Sequence, residues 1–440
     1  MNHSVIILLI LTILTGASPA QGSQLPRQSY WGAAAAVNSK GPGAVIRRVS
    51  PGSPAEKAGL KPADVILRVN GKELTDQPTY SQIVKSSRAG EAVTLEVSRA
   101  GQMLTLQLVP ARMPKEVIKG VEVIHDSVVT EPGHRVRTIV TRPENRQGRL
   151  PAILLIPWLS CDSVEWPLGA PFGLAKFLQG LAEKSGYVLM RVDKPGIGDS
   201  EGPDCSKNDL HTDMAAFRAA LQALKKYDFV DTNNIYLLGA SLGGALAPVI
   251  AQGENIRGII ITGGFAKTWH EHMIDHERTR LELTGMPAGE INTAMRGYIE
   301  FYSAYLNQKL MPGEVIRQRP HLAKLWYDEP WGQYGRPAAF YHQVQELNVE
   351  GAWQKVSAPV LIVYGEYDWI MSRADHELVA RIVNKQRPGS ARLVILPKTN
   401  HSLDVYESME KTFKGEGAQF DAGVTSMVID WLKSIGETGR

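Results

Sequence analysis

The segment Gly239-Ala240-Ser241-Leu242-Gly243 constrains the fold more than any other feature of this 440-residue chain. It lies between the apolar run 235–238 and the helix-forming stretch 244–251. A strand that ends in G-x-S-x-G and passes straight into a helix must turn sharply, and small residues beside the serine let the backbone turn without a Cβ clash. The turn lifts the serine hydroxyl clear of the sheet, which makes Ser241 the candidate nucleophile. The same pattern recurs at Gly198-Asp199-Ser200-Glu201-Gly202, but Pro203-Asp204-Cys205 follows it and no helix opens on the serine. Ser200 therefore lacks the strand–turn–helix context that makes the motif informative.

A nucleophilic serine needs a base, and the base needs a group to orient it. Residues 360–364 form a continuous apolar run of the kind found in buried parallel strands, and it delivers Gly365-Glu366-Tyr367-Asp368 at its end. Asp368 is the expected acid, with Glu366 as its rival. The next strand-like run, 391–396, leads to Asn400-His401, so His401 is the expected base.

These pieces resemble the α/β-hydrolase family of serine aminopeptidase and esterase type. The resemblance runs from about residue 119 to the end and rests on the stretches 191–202, 238–244 and 363–368 together with Asn400-His401. It implies the order Ser, Asp, His along the chain, each on a loop at the carboxyl end of a strand. It also assigns 191–202 to the loop after the family's fourth strand, which gives Ser200 a structural role. In one respect the chain departs from the family. Where relatives carry His-Gly after the third strand, this chain has Pro157-Trp158-Leu159-Ser160-Cys161. Backbone donors do not depend on side-chain identity, so Leu242 with Trp158 or Leu159 is the expected oxyanion hole.

Strand-like and helical runs alternate after residue 119, behind an opening antiparallel hairpin at 121–129 and 134–141. The fold class expected is α/β, a doubly wound and mostly parallel sheet. The hydrolase unit is placed at 119–437. An aromatic-rich insertion at about 265–355 is too long for an ordinary loop and is read as a helical cap over the pocket. His272 and His276, four apart on an expected helix of that cap, lack an evident third ligand, so no metal is expected.

The N-terminal quarter is of another kind. Residues 1–20 combine a short apolar core with small residues at Ser18 and Ala20, as in a cleaved signal peptide, and the apolar run is too short to span a bilayer. Residues 30–110 resemble a bacterial PDZ domain. The resemblance rests on the stretch 43–71, with Ser53 capping a helix that has Pro54 in its first turn, and a tight turn at Asn70-Gly71. It implies that Tyr30-Trp31-Gly32-Ala33 is a carboxylate-binding loop for the C-terminus of a peptide ligand added to a sheet edge. Residues 110–116 are the expected linker.

A formal net charge of +3 gives no argument for a nucleic-acid or anionic-membrane partner. Export, to the periplasm or the medium, would place Cys161 and Cys205 in an oxidising compartment, where a disulfide between them is expected. The sequence thus points to an exported serine hydrolase that needs no cofactor and acts on a small-molecule ester or a peptide. Acyl transfer, thioester cleavage, or a PDZ adaptor carrying an inactive hydrolase fold are the alternatives.

Overall fold

The computed structural model describes residues 25–437 apart from 39–40, 75–76 and 132, so the expected signal peptide lies outside the described residues. The N-terminal unit is built from short antiparallel strands. Strand β1 (Ser29–Tyr30) is followed by β2 (Ala33–Val37), β3 (Ala44–Val49), β4 (Val65–Val69), β5 (Lys72–Glu73), β6 (Val93–Arg99), β7 (Gln102–Leu108) and β8 (Ala111–Arg112), with helices α1 (Pro54–Lys57) and α2 (Gln77–Ser86) between them. One sheet runs β2-β3-β4-β6-β7, with β5 beside β4, and β1 pairs with β8 to close the two ends of the unit. Ser53 caps α1 as its sequence signature predicts, accepting from the Glu56 amide. Asn70 and Gly71 both take positive φ, 50° and 76°, as a two-residue hairpin turn requires. Trp31, Ile46, Ile66, Leu95 and Val97 form a small core of their own.

The stretch expected as a linker is pinned at both ends. Its start forms β8, and buried Glu116 makes an ion pair with buried Arg191 in the larger unit (Oε2 to Nη2, 2.5 Å).

The larger unit is built on an eight-stranded sheet. Its strands are β9 (Val121–Val129), β10 (Arg135–Pro143), β11 (Leu150–Ile156), β12 (Val188–Val192), β13 (Val230–Ala240), β14 (Gly258–Thr262), β17 (Val360–Gly365) and β18 (Ala391–Leu396). Their order across the sheet is β18-β17-β14-β13-β11-β12-β10-β9. The hairpin β9–β10 and the β10–β12 pair are antiparallel; every other neighbour is parallel. Both faces are covered, as parallel sheets require. Ile235 and Leu237 of β13 point into one core with α4 (Leu210–Leu224) and α5 (Leu242–Ile250), while Tyr236 and Leu238 point into another with α3 (Gly173–Lys184) and α13 (Gly423–Glu437). The two remaining core helices are α11 (Arg373–Gln386) and α12 (Met409–Lys414).

Between β14 and β17 the chain builds a cap that is mostly helical: α6 (Trp269–Leu283), α7 (Ala288–Tyr302), α8 (Pro312–Gln318), α9 (Ala338–Glu346) and α10 (Val349–Gln354), with a ribbon of β15 (Gly332–Gln333) and β16 (Arg336–Pro337). Its aromatic residues pack mainly against one another. Phe301 stacks on Trp326 at 4.7 Å, and Tyr302, Tyr305 and Tyr341 are fully buried. Buried Arg336 fastens the ribbon to the sheet unit by donating to the Cys205 carbonyl (2.8 Å) and to Asp213. No helix among the described residues is long and apolar enough to cross a membrane.

Candidate active site

Ser241 stands at the junction of β13 and α5 with φ 56° and ψ −122°. A non-glycine residue held there costs about 1–3 kcal/mol and persists only where its surroundings over-determine it. The surroundings here are three glycines. A Cβ on Gly239 would lie 2.4 Å from the Gly243 carbonyl oxygen, one on Gly243 would lie 1.9 Å from that of Ile156, and one on Gly244 would lie 2.4 Å from that of Gly263. The start of α5 therefore presses directly on the ends of β11 and β14.

That close approach brings the start of α5 and the end of β11 together beside the serine. Leu242 is the first residue of α5, so its N–H has no intrahelical acceptor. The amides of Trp158 and Leu159, just past the end of β11, have no acceptor among the described residues either. All three residues line the same cavity as Ser241. The disulfide Cys161–Cys205 lies immediately beyond, joining this loop to the short helical turn Cys205–Lys207.

His401 enters the cavity from the loop after β18. Its Nδ1 is 2.7 Å from Asp368 Oδ2, while Asp368 Oδ1 accepts from the amides of Ile370 and Met371, each at 2.9 Å. The rival carboxylate is elsewhere: Glu366 accepts from the Lys398 amide at 2.8 Å. Gly263, to which sequence reasoning assigns no role, makes room for the imidazole. A Cβ there would sit 2.7 Å from His401 Cε1 and 3.6 Å from the Ser241 Cα. The Gly263-Gly264 pair directly after β14 is the signal that could have found it. Burial works against a charged imidazole at His401, but the Asp368 charge and hydrogen bond outweigh it and raise its pKa above the ordinary value. The Ser241 hydroxyl makes no hydrogen bond among the described residues, a contact that in such sites often tightens only with substrate present.

Ser200 is not in the cavity. Its Oγ accepts from the Arg137 amide at 2.9 Å, and its loop is folded back so tightly that a Cβ on Gly196 would meet the Pro203 carbonyl oxygen at 1.9 Å. The predicted carboxylate loop, Tyr30 to Ala33, leads into the edge strand β2; Trp31 within it is buried in the small core, and the Ala33 carbonyl accepts from the Tyr80 hydroxyl at 3.0 Å.

The cavity above Ser241 measures about 520 Å³. Trp158, Phe172, Trp269, Tyr327, Tyr334 and Trp369 give it largely aromatic walls. His272 and His276 also line it, stacked rather than converging on a common point: their ring centroids are 6.2 Å apart, and His276 stacks in turn on Trp369 at 5.4 Å. Among the described residues no group of three His, Cys, Asp or Glu has metal-binding geometry.

Burial pushes the pKa values of His272, His276 and His376 down, so the fold favours their neutral forms. Unfolded, each takes up a proton near pH 6.5. The unfolded state then binds more protons, and stability falls as pH drops below about 6.5, by up to about 1.4 kcal/mol per pH unit for each such ring. His401, with its raised pKa, acts in the opposite sense: its contribution is full below about 6.5 and is lost as pH rises through its folded value. His272 stacks on Phe265 (5.3 Å) and lies tilted against Trp269 (4.8 Å), aromatic surroundings that suit a phenylalanine. His272→Phe is expected to shrink the loss of Tm between pH 7.5 and 5.5. An unchanged loss in thermal melts would contradict the argument.

Comparison with known proteins agrees with this architecture. A family model described as the alpha/beta hydrolase family matches residues 153–414, and one described as the PDZ domain matches 45–99. Esterase EstD of Thermotoga maritima is 20% identical over 265 residues, which are 60% of this chain and 57% of that protein. A probable periplasmic serine endoprotease DegP-like of a Marinomonas species is 40% identical over 74 residues, 17% of this chain and 16% of that protein. The chain thus spans little more than half of the first relative and about a sixth of the second. The solved structure of Est1E from Butyrivibrio proteoclasticus is 16% identical, covering 71% of this chain and 98% of that one with a TM-score of 0.42.

Proposed function

Because this chain belongs to the alpha/beta hydrolase family and carries a PDZ domain ahead of it, we propose that it is a serine hydrolase that cleaves carboxylic esters through an acyl-enzyme. The observation that carries this reading is Ser241 held at positive φ on a strand-to-helix turn, beneath a cavity it shares with a histidine paired to a buried aspartate. In the proposed reaction His401 Nε2 takes the Ser241 proton as Oγ attacks the carbonyl carbon. Asp368 keeps the remaining proton on Nδ1 and stabilises the imidazolium. The Leu242 amide with that of Trp158 or Leu159 receives the anionic oxygen, each donor being worth on the order of 2–4 kcal/mol in the transition state. The imidazolium returns its proton to the leaving alcohol, and water, activated by the same histidine, then frees the acid.

Ester is favoured over amide. A serine aminopeptidase has to hold a substrate ammonium, and among the described residues Asp162 is the single carboxylate lining this cavity. Aromatic walls suit an apolar acyl or alkoxy group, and the relative EstD is named as an esterase. We further read the chain as exported, on the apolar N-terminal segment, the disulfide, and a PDZ relative named as periplasmic. The PDZ unit is proposed to receive a peptide C-terminus along β2, once the Tyr80 hydroxyl releases the Ala33 carbonyl.

Labelling with a fluorophosphonate, followed by peptide mapping, tests the hydrolase reading. The phosphonyl group is expected on Ser241 and not on Ser200. A folded protein that stays unlabelled, or is labelled at Ser200, would sink it. Turnover of short-chain nitrophenyl esters is expected to exceed that of aminoacyl anilides.

A further inference from the structure

The loop bearing the Trp158 and Leu159 amides is held by groups that come from distant parts of the chain. The Ser160 carbonyl accepts from Lys194 Nζ (2.7 Å), Ser163 Oγ from Arg137 Nη2 (2.8 Å), and the Val164 carbonyl from Arg191 Nη1 (2.9 Å), while the Val164 amide donates to Asp193 Oδ1 (2.9 Å). Glu165 is the most heavily engaged. It meets His125 Nε2 at 2.7 Å, Arg137 Nη1, the Glu116 amide at 3.2 Å, and Arg27 Nη1 at 2.8 Å.

Arg27 does not belong to the hydrolase unit. It lies in the arm that enters β1 and the PDZ unit, and it also meets Asp199 Oδ2 at 2.6 Å, while the amide of Gln28 donates to Asp199 Oδ1 at 2.8 Å. From β1 and the residue after it, Ser29 Oγ and Trp31 Nε1 both bond Ser87 Oγ just past the end of α2, at 2.6 and 2.9 Å. The arm is thus fixed to the PDZ unit at one end and to Glu165 at the other.

We propose that Arg27 is a positioning residue for the hydrolase site, holding through Glu165 the loop whose Trp158 or Leu159 amide receives the anionic oxygen. This inference rests on the serine-hydrolase reading given above. Glu165, Asp193 and Asp199 are almost wholly buried, their side chains 2%, 0% and 3% exposed, and the two guanidiniums of Arg27 and Arg137 face them. Without Arg27, three buried carboxylates share Arg137 and His125, and the loop relieves the imbalance by carrying Glu165 toward water. The displacement passes directly to the oxyanion donors. Trp166, the next residue, stacks on Trp158 at 6.3 Å, and Phe172 packs edge-on against both at 6.0 Å.

The test uses the full chain, a nitrophenyl butyrate, and phenylethylboronic acid as a tetrahedral mimic. Arg27→Ala is expected to lower kcat roughly 10- to 100-fold with KM within about twofold, and to weaken boronic-acid inhibition by the same factor. Arg27→Lys recovers part of the loss, because one ammonium can still meet Glu165. Lys85→Ala removes a different contact between the units, to the Gly196 carbonyl, and leaves kcat unchanged. Should Arg27→Ala fail to fold, Glu165→Gln reports the same effect on kcat. A wild-type kcat in whichever of these two variants folds, or an equal loss in Lys85→Ala, overturns the assignment. If the wild type reacts with fluorophosphonate at Ser241 and Arg27→Ala turns over normally, only this inference fails; if Ser241 does not react, the hydrolase reading fails with it.

Discussion

Asp368→Asn is expected to lower kcat on the order of 10,000-fold while leaving the fold intact. The asparagine oxygen can keep the two backbone donors, Ile370 and Met371, that Asp368 Oδ1 holds at 2.9 Å. That choice turns the new amide N–H toward His401 Nδ1, where the carboxylate now accepts at 2.7 Å. Two donors cannot face each other, so the imidazole moves its proton to Nε2 and loses the lone pair that receives the Ser241 proton in the proposed reaction. The pH profile gives an independent check. In the wild type the Asp368 charge raises the His401 pKa, so the acid limb of kcat/KM lies above 6.5. Removing the charge leaves burial as the main influence, and the limb moves to lower pH. Steady-state turnover of a nitrophenyl ester across pH 5–9 measures both effects. A variant within tenfold of wild type, or an unmoved acid limb, would place the general base elsewhere.

The placement of Ser241, Asp368 and His401 at strand ends was legible in the sequence because each sits where a secondary-structure period breaks. Ser241 follows an apolar run and precedes a helix, and Asp368 and His401 end consecutive strand-like runs. Asp368 was the expected acid, but nothing in local pattern removed Glu366 as its rival. Both follow β17 by a few residues, and only the turn that gives Asp368 Oδ1 the Ile370 and Met371 amides decides which carboxylate faces inward. The cluster around Glu165 was equally hidden. Arg27, His125, Arg137, Glu165 and Asp199 are scattered over residues 27–199, and nothing in local pattern says that they meet. Local periodicity reports which face of an element is buried; it carries no information about ion pairs formed across elements distant in sequence. For the same reason the stretch 110–116 read as a linker from its prolines, while its ion pair with Arg191 was invisible.

Gly243→Ala is expected to lower stability by about 3–5 kcal/mol and to remove nearly all of the proposed esterase activity, because the added methyl has nowhere to go. Its carbon would lie 1.9 Å from the Ile156 carbonyl oxygen, 2.7 Å from its carbonyl carbon and 2.8 Å from the Pro157 oxygen. All three are backbone atoms, so no rotamer change relieves the clash. Either α5 lifts off the sheet, dragging Ser241 from its strained turn, or the end of β11 retreats and takes the Trp158 and Leu159 amides with it. Both routes separate Ser241 from the proposed oxyanion donors, and a displacement near 1 Å already costs on the order of 100-fold in rate. Gly289 is the matched control. It lies in α7 with an ordinary negative φ, and a methyl added there would find nothing within 4 Å, so Gly289→Ala is expected to be neutral or stabilising by up to about 1 kcal/mol. Denaturant melts and ester turnover of the two variants separate the effect of a methyl group in general from its effect at the elbow. If Gly243→Ala behaves like Gly289→Ala, the contact between α5 and β11 does not hold the site together.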